Sequence, residues 1–164
     1  AGDAVGVIEL GPRATFVAFF NKGELVLVRK FDFGLWDLLD RIQKELGLDR
    51  PTVIGLMADN AFDVSQAIKE VSEPFIKQMI ISRHFVERRE NCHVTRMYVP
   101  GGPSIPSDWI NEVKSAMGFD VDFWDPFAVP RFKLPADGLG DELDAQRPRF
   151  AAAIGAGLGA LSES

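Results

Sequence analysis

Apolar residues fall in short runs over the first part of the chain, and then the period changes. Residues 5–10, 15–20 and 25–33 are rich in Val, Ile, Leu and Phe, and Gly11-Pro12-Arg13 and Asn21-Lys22-Gly23-Glu24 separate them. Such runs between turn residues predict three strands, and two short connections in succession predict an antiparallel meander. From Leu35 the spacing is helical: Leu35, Leu38, Leu39, Ile42 and Leu46 share one face, and Gly47 stops it. Burying each of these side chains contributes roughly 1.5–3 kcal/mol, which holds such a helix on a sheet.

The middle of the chain has no clean period over residues 49–63, where Pro51 opens a short helix expected at 52–57. A helical pattern resumes near Val64, with Ile68 and Val71 on one side. Ser72-Glu73-Pro74 has the form of a fresh N-cap with an early proline, which predicts a bend near Ser72. A long helix then follows to about Asn91, with Phe75, Met79, Phe85 and Val86 assigned to the core. Residues 94–99 are the fourth strand, ending in the pair Gly101-Gly102. Ser107 is the expected cap of a helix with Ile110, Val113 and Met117 inward and Gly118 at its end. A fifth strand is expected at 121–123. Beyond Trp124-Asp125-Pro126-Phe127 lies a Pro/Gly/Asp-rich stretch, expected to be a mobile loop at 128–146. Pro148 opens a last helix with Phe150, Ile154, Leu158 and Leu161 as its large residues. Glycine costs about 1 kcal/mol inside a helix, so the three there point to close packing.

Composition narrows the function classes. The length suits one domain, read here as residues 1–164. The net charge is −6, without a block of Lys or Arg, which argues against nucleic acid. One cysteine, Cys92, leaves no internal disulfide and fits a reducing compartment as a small buried hydrophobe. No apolar run is long enough to span a bilayer. The chain opens on Ala1-Gly2-Asp3, with no initiator Met and no signal peptide pattern, and is expected to be a piece of something longer.

Catalytic and metal patterns are sparse. His84, within the long helix, and His93, placed just before the fourth strand, lack metal-ligand spacing. There is no Gly-x-Ser-x-Gly elbow and no Walker loop. The acids between Asp137 and Asp144 lack calcium-loop spacing. Two places can approach a ligand. A strand ending in Gly101-Gly102 presents no Cβ, and strand ends are where open α/β sheets bind ligands. At the first hairpin, Glu9, Gly11 and Thr15 combine an acid, a glycine and a hydroxyl, a set able to hold a metal-bound phosphate. Ordinary hairpin-turn chemistry explains the same three residues.

Read in order, the elements resemble the second lobe of the actin-like ATPase superfamily, and within it the PilM-type type IV pilus assembly proteins. Ile8-Glu9-Leu10-Gly11 with Thr15 matches the family's second phosphate hairpin, and Leu27-Val28-Arg29 with Phe33-Gly34 its third strand and exit. Met97-Tyr98-Val99-Pro100-Gly101-Gly102 matches the adenosine turn. Trp124-Asp125-Pro126-Phe127 matches the Asn/Asp-Pro-Phe signature, and residues 152–161 the closing Gly/Ala helix. The resemblance implies an α/β, RNase H-like lobe: a mixed five-stranded sheet in order 3-2-1-4-5 with helices on both faces.

The departures bear on activity. Glu9 stands where the family carries Asp, Pro103 follows the glycine pair, and the insertion that normally grips adenosine is shortened to about 49–63 and has no lysine. The first lobe, which carries the other phosphate hairpin and the groove for PilN, is not in this chain. The resemblance therefore implies a cytoplasmic scaffold, peripheral at the inner membrane, that joins a pilus motor ATPase to a platform containing a PilN-like protein. It implies a vestigial nucleotide site at Glu9, Gly11, Thr15, Gly101 and Gly102, no catalytic residue and no cofactor in this chain, with ATP and Mg left to the full-length parent. Self-association is expected from a lobe lacking its partner. A lobe of a sugar- or acetate-kinase-like phosphotransferase and a type II secretion scaffold stay open as alternatives.

Overall fold

The computed structural model describes residues 2–58, 62–100 and 105–125. Three strands, β1 (Gly2–Leu10), β2 (Thr15–Asn21) and β3 (Glu24–Phe31), form the expected meander. The helices α1 (Leu35–Leu46), α2 (Arg50–Ala58) and α3 (Ser65–Glu90) follow, then β4 (Cys92–Pro100), α4 (Ser107–Met117) and β5 (Asp120–Trp124). The sheet order is β3-β2-β1-β4-β5. The pairs β1–β2 and β2–β3 are antiparallel, whereas β4 lies parallel to β1 and β5 parallel to β4. The antiparallel meander and the sheet order 3-2-1-4-5 expected from the sequence are thus the observed ones.

Alternation along the strands decides which face is buried. Thr15, Val17 and Phe19 of β2 are buried, as are Ala4 and Ile8 of β1, Met97 and Val99 of β4, and Val121 of β5. Leu38, Leu39 and Ile42 of α1, Phe75 and Met79 of α3, and Trp109 and Val113 of α4 complete the same core. A column of rings runs through it. Phe33 stacks on Phe75 at 4.9 Å, and Phe75 stacks on Trp109 at 6.1 Å.

Helix ends follow local chemistry. Gly47 and Gly118 close α1 and α4 in the left-handed region, and Asn91 does the same for α3. Asp49 accepts the Thr52 amide at 2.9 Å at the start of α2, and Asp63 accepts the Ser65 amide at 3.0 Å at the start of α3. Side-chain hydrogen bonding from Thr52 and from Ser65, then these amide bonds, hold both carboxyls below their ordinary values.

Several expectations need correction. No new helix begins at Ser72: α3 runs unbroken for 26 residues, with Pro74 inside it. An interior proline removes one backbone bond, here to the Glu70 carbonyl, and costs ~3 kcal/mol or more. Burial of Ile68, Phe75, Ile76 and Met79 on one face outweighs that local cost. Ser72 is itself fully buried, and among the described residues its hydroxyl has no hydrogen-bond partner. Phe85 is exposed, because Val86, one residue further round the helix, takes the core position. Ser107 is the first helical residue, and Pro106 holds the N-cap position. His93 lies within β4, which starts at Cys92 because Gly2 of β1 pairs with it. β3 ends at Phe31, so Asp32 and Phe33 leave the ladder. Gly101, Gly102, the stretch 128–146 and the helix expected from Pro148 lie outside the described residues.

Candidate functional site

The first hairpin sits on the N-terminus of α1. The α1 amides of Leu35 and Trp36 donate to the carbonyls of Gly11 and Pro12, each at 2.9 Å. Gly34 precedes the helix, and its amide donates to Asp37 Oδ2 at 2.7 Å, while the Asp37 amide donates back to the Gly34 carbonyl at 3.1 Å. These bonds satisfy backbone donors that a helix N-terminus otherwise leaves free. The approach is close enough to require glycine. A Cβ on Gly34 would lie 2.6 Å from the Pro12 carbonyl oxygen and 2.7 Å from the Arg13 backbone nitrogen. One on Gly11 would lie 2.6 Å from the Ala14 carbonyl oxygen.

This packing sets what the hairpin can offer a ligand. The Gly11 amide donates to the Ala14 carbonyl at 3.0 Å, and Pro12 has no N–H. Two of the donors that could cradle a phosphate are therefore unavailable in this arrangement. Thr15 is fully buried, and its hydroxyl donates to the Phe33 carbonyl at 2.7 Å. Glu9 is exposed and pairs across the ladder with Phe16, so it points to the face opposite Thr15. The structure thus places Glu9, Gly11 and Thr15 on one hairpin without bringing the carboxylate and the hydroxyl together. The other two candidate residues, Gly101 and Gly102, are outside the described part.

The Thr15 hydroxyl has a structural task that can be measured. Thr15→Val keeps the shape but leaves the Phe33 carbonyl without its donor, so a stability loss of roughly 1–3 kcal/mol is expected in urea unfolding. A loss below about 0.3 kcal/mol would mean that water satisfies this carbonyl equally well.

Three further residues gather beside the hairpin, and none of them belongs to a sequence motif. The Arg13 guanidinium lies 4.4 Å from the centre of the Trp36 ring, and that of Arg50 lies 5.3 Å from it. Arg50 also pairs with Asp40 and bonds Gln43. The signal for Gly34 was local and readable: a glycine three residues before an aspartate is a capping arrangement. The arginine-tryptophan contacts join hairpin, α1 and α2, and had no local signal.

Among the described residues no group of three His, Cys, Asp or Glu side chains could hold a metal ion. Cys92 is buried and free, and burial, followed by Glu87 and Glu90, pushes its thiol pKa up. A protonated, buried thiol is a poor nucleophile.

The mixed sheet, its order and the helices packed on it define one lobe of the actin-like ATPase fold, of the RNase H-like α/β type. No protein-family model and no curated protein sequence matches the chain. Among solved structures, a chain of a PilM–PilN type IV pilus biogenesis complex superposes with a TM-score of 0.73 and 18% identity. The match covers 94% of this chain and 45% of that one, so this chain spans less than half the length of its structural counterpart. The ethanolamine utilization protein EutJ from Carboxydothermus hydrogenoformans matches 72% of this chain and 43% of its own, with TM-score 0.49 and 18% identity. Bacillus thuringiensis ParM with AMPPNP matches 99% of this chain and 48% of its own, with TM-score 0.44 and 16% identity.

Proposed function

We propose that this chain is a lobe of a PilM-like scaffold for type IV pilus assembly, working at the cytoplasmic face of the inner membrane. In this reading it links a motor ATPase to the membrane platform, through a PilN-like partner held mainly by the rest of the parent protein. The observation that carries the reading is the superposition on the PilM–PilN complex over 94% of the chain. Among the described residues no helix is long and apolar enough to cross a membrane, which suits attachment through partners. The test is co-isolation of the full-length parent with a PilN-like membrane protein and the motor ATPase. Recovery of the parent without either would refute the reading.

The same proposal treats the nucleotide site as degenerate. Phosphoryl transfer rests on positioning and charge stabilisation, and nucleotide pockets enclose most of their ligand. Here the Gly11 amide and the Thr15 hydroxyl are bonded internally, and Glu9 faces away from Thr15. The phosphotransferase alternative needs those groups available, so it fits less well. Calorimetry of the chain with Mg-ATP is expected to show no micromolar binding. Micromolar binding abolished by Gly101→Val would establish a working site. A free lobe also exposes surface that faced its counterpart, and Phe16 and Val28 on the outer face of β2 and β3 are apolar and exposed. Self-association through such surface is part of the proposal.

A further inference from the structure

Where the first hairpin meets the start of α1, Trp36 is left 37% exposed. The Arg13 and Arg50 guanidinium groups both lie against this one indole, 4.4 and 5.3 Å from its centre. We propose that the cluster is a docking point for an acidic segment of a partner protein. Arg13 takes a carboxylate of that segment, and Trp36 takes the apolar side chain beside it. This surface is separate from the features on which the pilus reading rests.

Charge balance argues for this occupant. Arg50 is already neutralised, since it pairs with Asp40 and donates to Gln43 at 3.3 Å. Arg13 is not: among the described residues its guanidinium meets the Trp36 ring and no carboxylate. Asp37, next to Trp36 in the chain, has Oδ2 committed to the Gly34 amide at 2.7 Å. Two guanidinium groups at one ring repel each other, and Asp40 offsets that cost for Arg50 alone. An arriving carboxylate offsets it for Arg13. A guanidinium stacked on a ring keeps its N–H edge free, and that edge matches a carboxylate through two parallel bonds. The cluster is also held in place. Arg13 follows Gly11 and Pro12, whose carbonyls accept the Leu35 and Trp36 amides at the head of α1. Residues fixed in this way lose little freedom on binding, and tryptophan and arginine are the types that most often dominate interface energies. An inorganic anion would satisfy Arg13 but leave Trp36 uncovered, so a protein segment fits the pair better.

The probe is the peptide acetyl-Leu-Glu-Leu-amide, titrated into the full chain and followed by NMR of the Trp36 indole N–H and the Arg13 Nε–H. Saturable shifts of both signals are expected, weakening as salt is added. The peptide with glutamine in place of glutamate is expected to bind the native chain about 3- to 5-fold more weakly, as for the loss of one partly exposed ion pair. Arg13→Gln is expected to weaken the glutamate peptide by a similar factor and to leave the glutamine peptide unchanged. The peptide comparison uses the native chain, so it decides the matter even where the variant is destabilised. Absence of shifts, shifts confined to other residues, equal binding of the two peptides, or indifference to Arg13→Gln would each overturn the proposal. Inorganic phosphate that saturates the same signals at a lower concentration than the peptide would mark a site for a free anion, and would overturn the stated occupant.

Discussion

Gly34→Ala is expected to destabilise the lobe by about 1–3 kcal/mol, the usual range for forcing extra atoms into a packed site. The backbone angles of Gly34 are extended, which any residue can adopt, so strain at the residue itself is not the cause. The cost comes from what a Cβ would meet. Its three nearest atoms, at 2.6–2.7 Å, are all backbone atoms of Pro12 and Arg13. A flexible side chain could move aside, but the hairpin can yield only by backing away from α1. That movement would lengthen the bonds from Leu35 and Trp36 to the hairpin carbonyls. Amide exchange at Leu35 and Trp36 should therefore accelerate along with the loss of stability. Thr15 holds the same segment through the Phe33 carbonyl, one residue before Gly34. The double variant with Thr15→Val should thus be non-additive by at least about 0.5 kcal/mol, as expected for residues sharing one contact. Full additivity, or unchanged exchange at both amides, would show that the hairpin and helix are not joined in this way.

How far the sequence revealed this arrangement depends on the range of the interactions involved. Helix α1 was readable to the residue, because Leu35, Leu38, Leu39, Ile42 and Leu46 repeat at helical spacing and Gly47 ends them. The sheet order followed from short connections first and helical crossovers later, which leave few topologies. Helix α3 was misread at Ser72-Glu73-Pro74 because proline is a strong local signal. The burial of Phe75, Ile76 and Met79 that overrides it depends on strands and helices far along the chain. Phe85 was misassigned because two adjacent apolar residues do not reveal which one faces inward. The candidate site divides similarly. Glu9, Gly11 and Thr15 were found as a motif, but the bond occupying Thr15 spans 18 residues, and Gly11 binds the start of a helix. Both are tertiary facts. The motif shows which groups are present, and the fold decides which of them remain available to a ligand.

Trp109→Ala should be the most damaging single truncation, with an expected loss of about 3–5 kcal/mol for an aromatic removed from a core. Among the described residues Trp109 is the largest fully buried side chain. It joins α4 to α3 through Phe75, which in turn stacks on Phe33 beneath the hairpin and packs against Phe31. Truncation would leave a cavity between two helices, and Phe75 cannot fill it without leaving its stack on Phe33. A domain of ordinary stability, about 5–15 kcal/mol, would lose a large part of it. Trp109→Phe separates packing from polarity. Among the described residues the indole nitrogen of Trp109 is buried without a hydrogen-bond partner. Phenylalanine removes that unsatisfied donor, which by itself costs roughly 1–3 kcal/mol, while keeping a ring against Phe75. The expected result in urea unfolding is a severe loss for alanine and a loss of under about 1.5 kcal/mol for phenylalanine, since the smaller ring's cavity is partly offset. Equal losses from the two variants would mean that the indole nitrogen has a partner the packing account omits. A loss under about 1 kcal/mol for alanine would mean that the α3–α4 contact does not hold the core together.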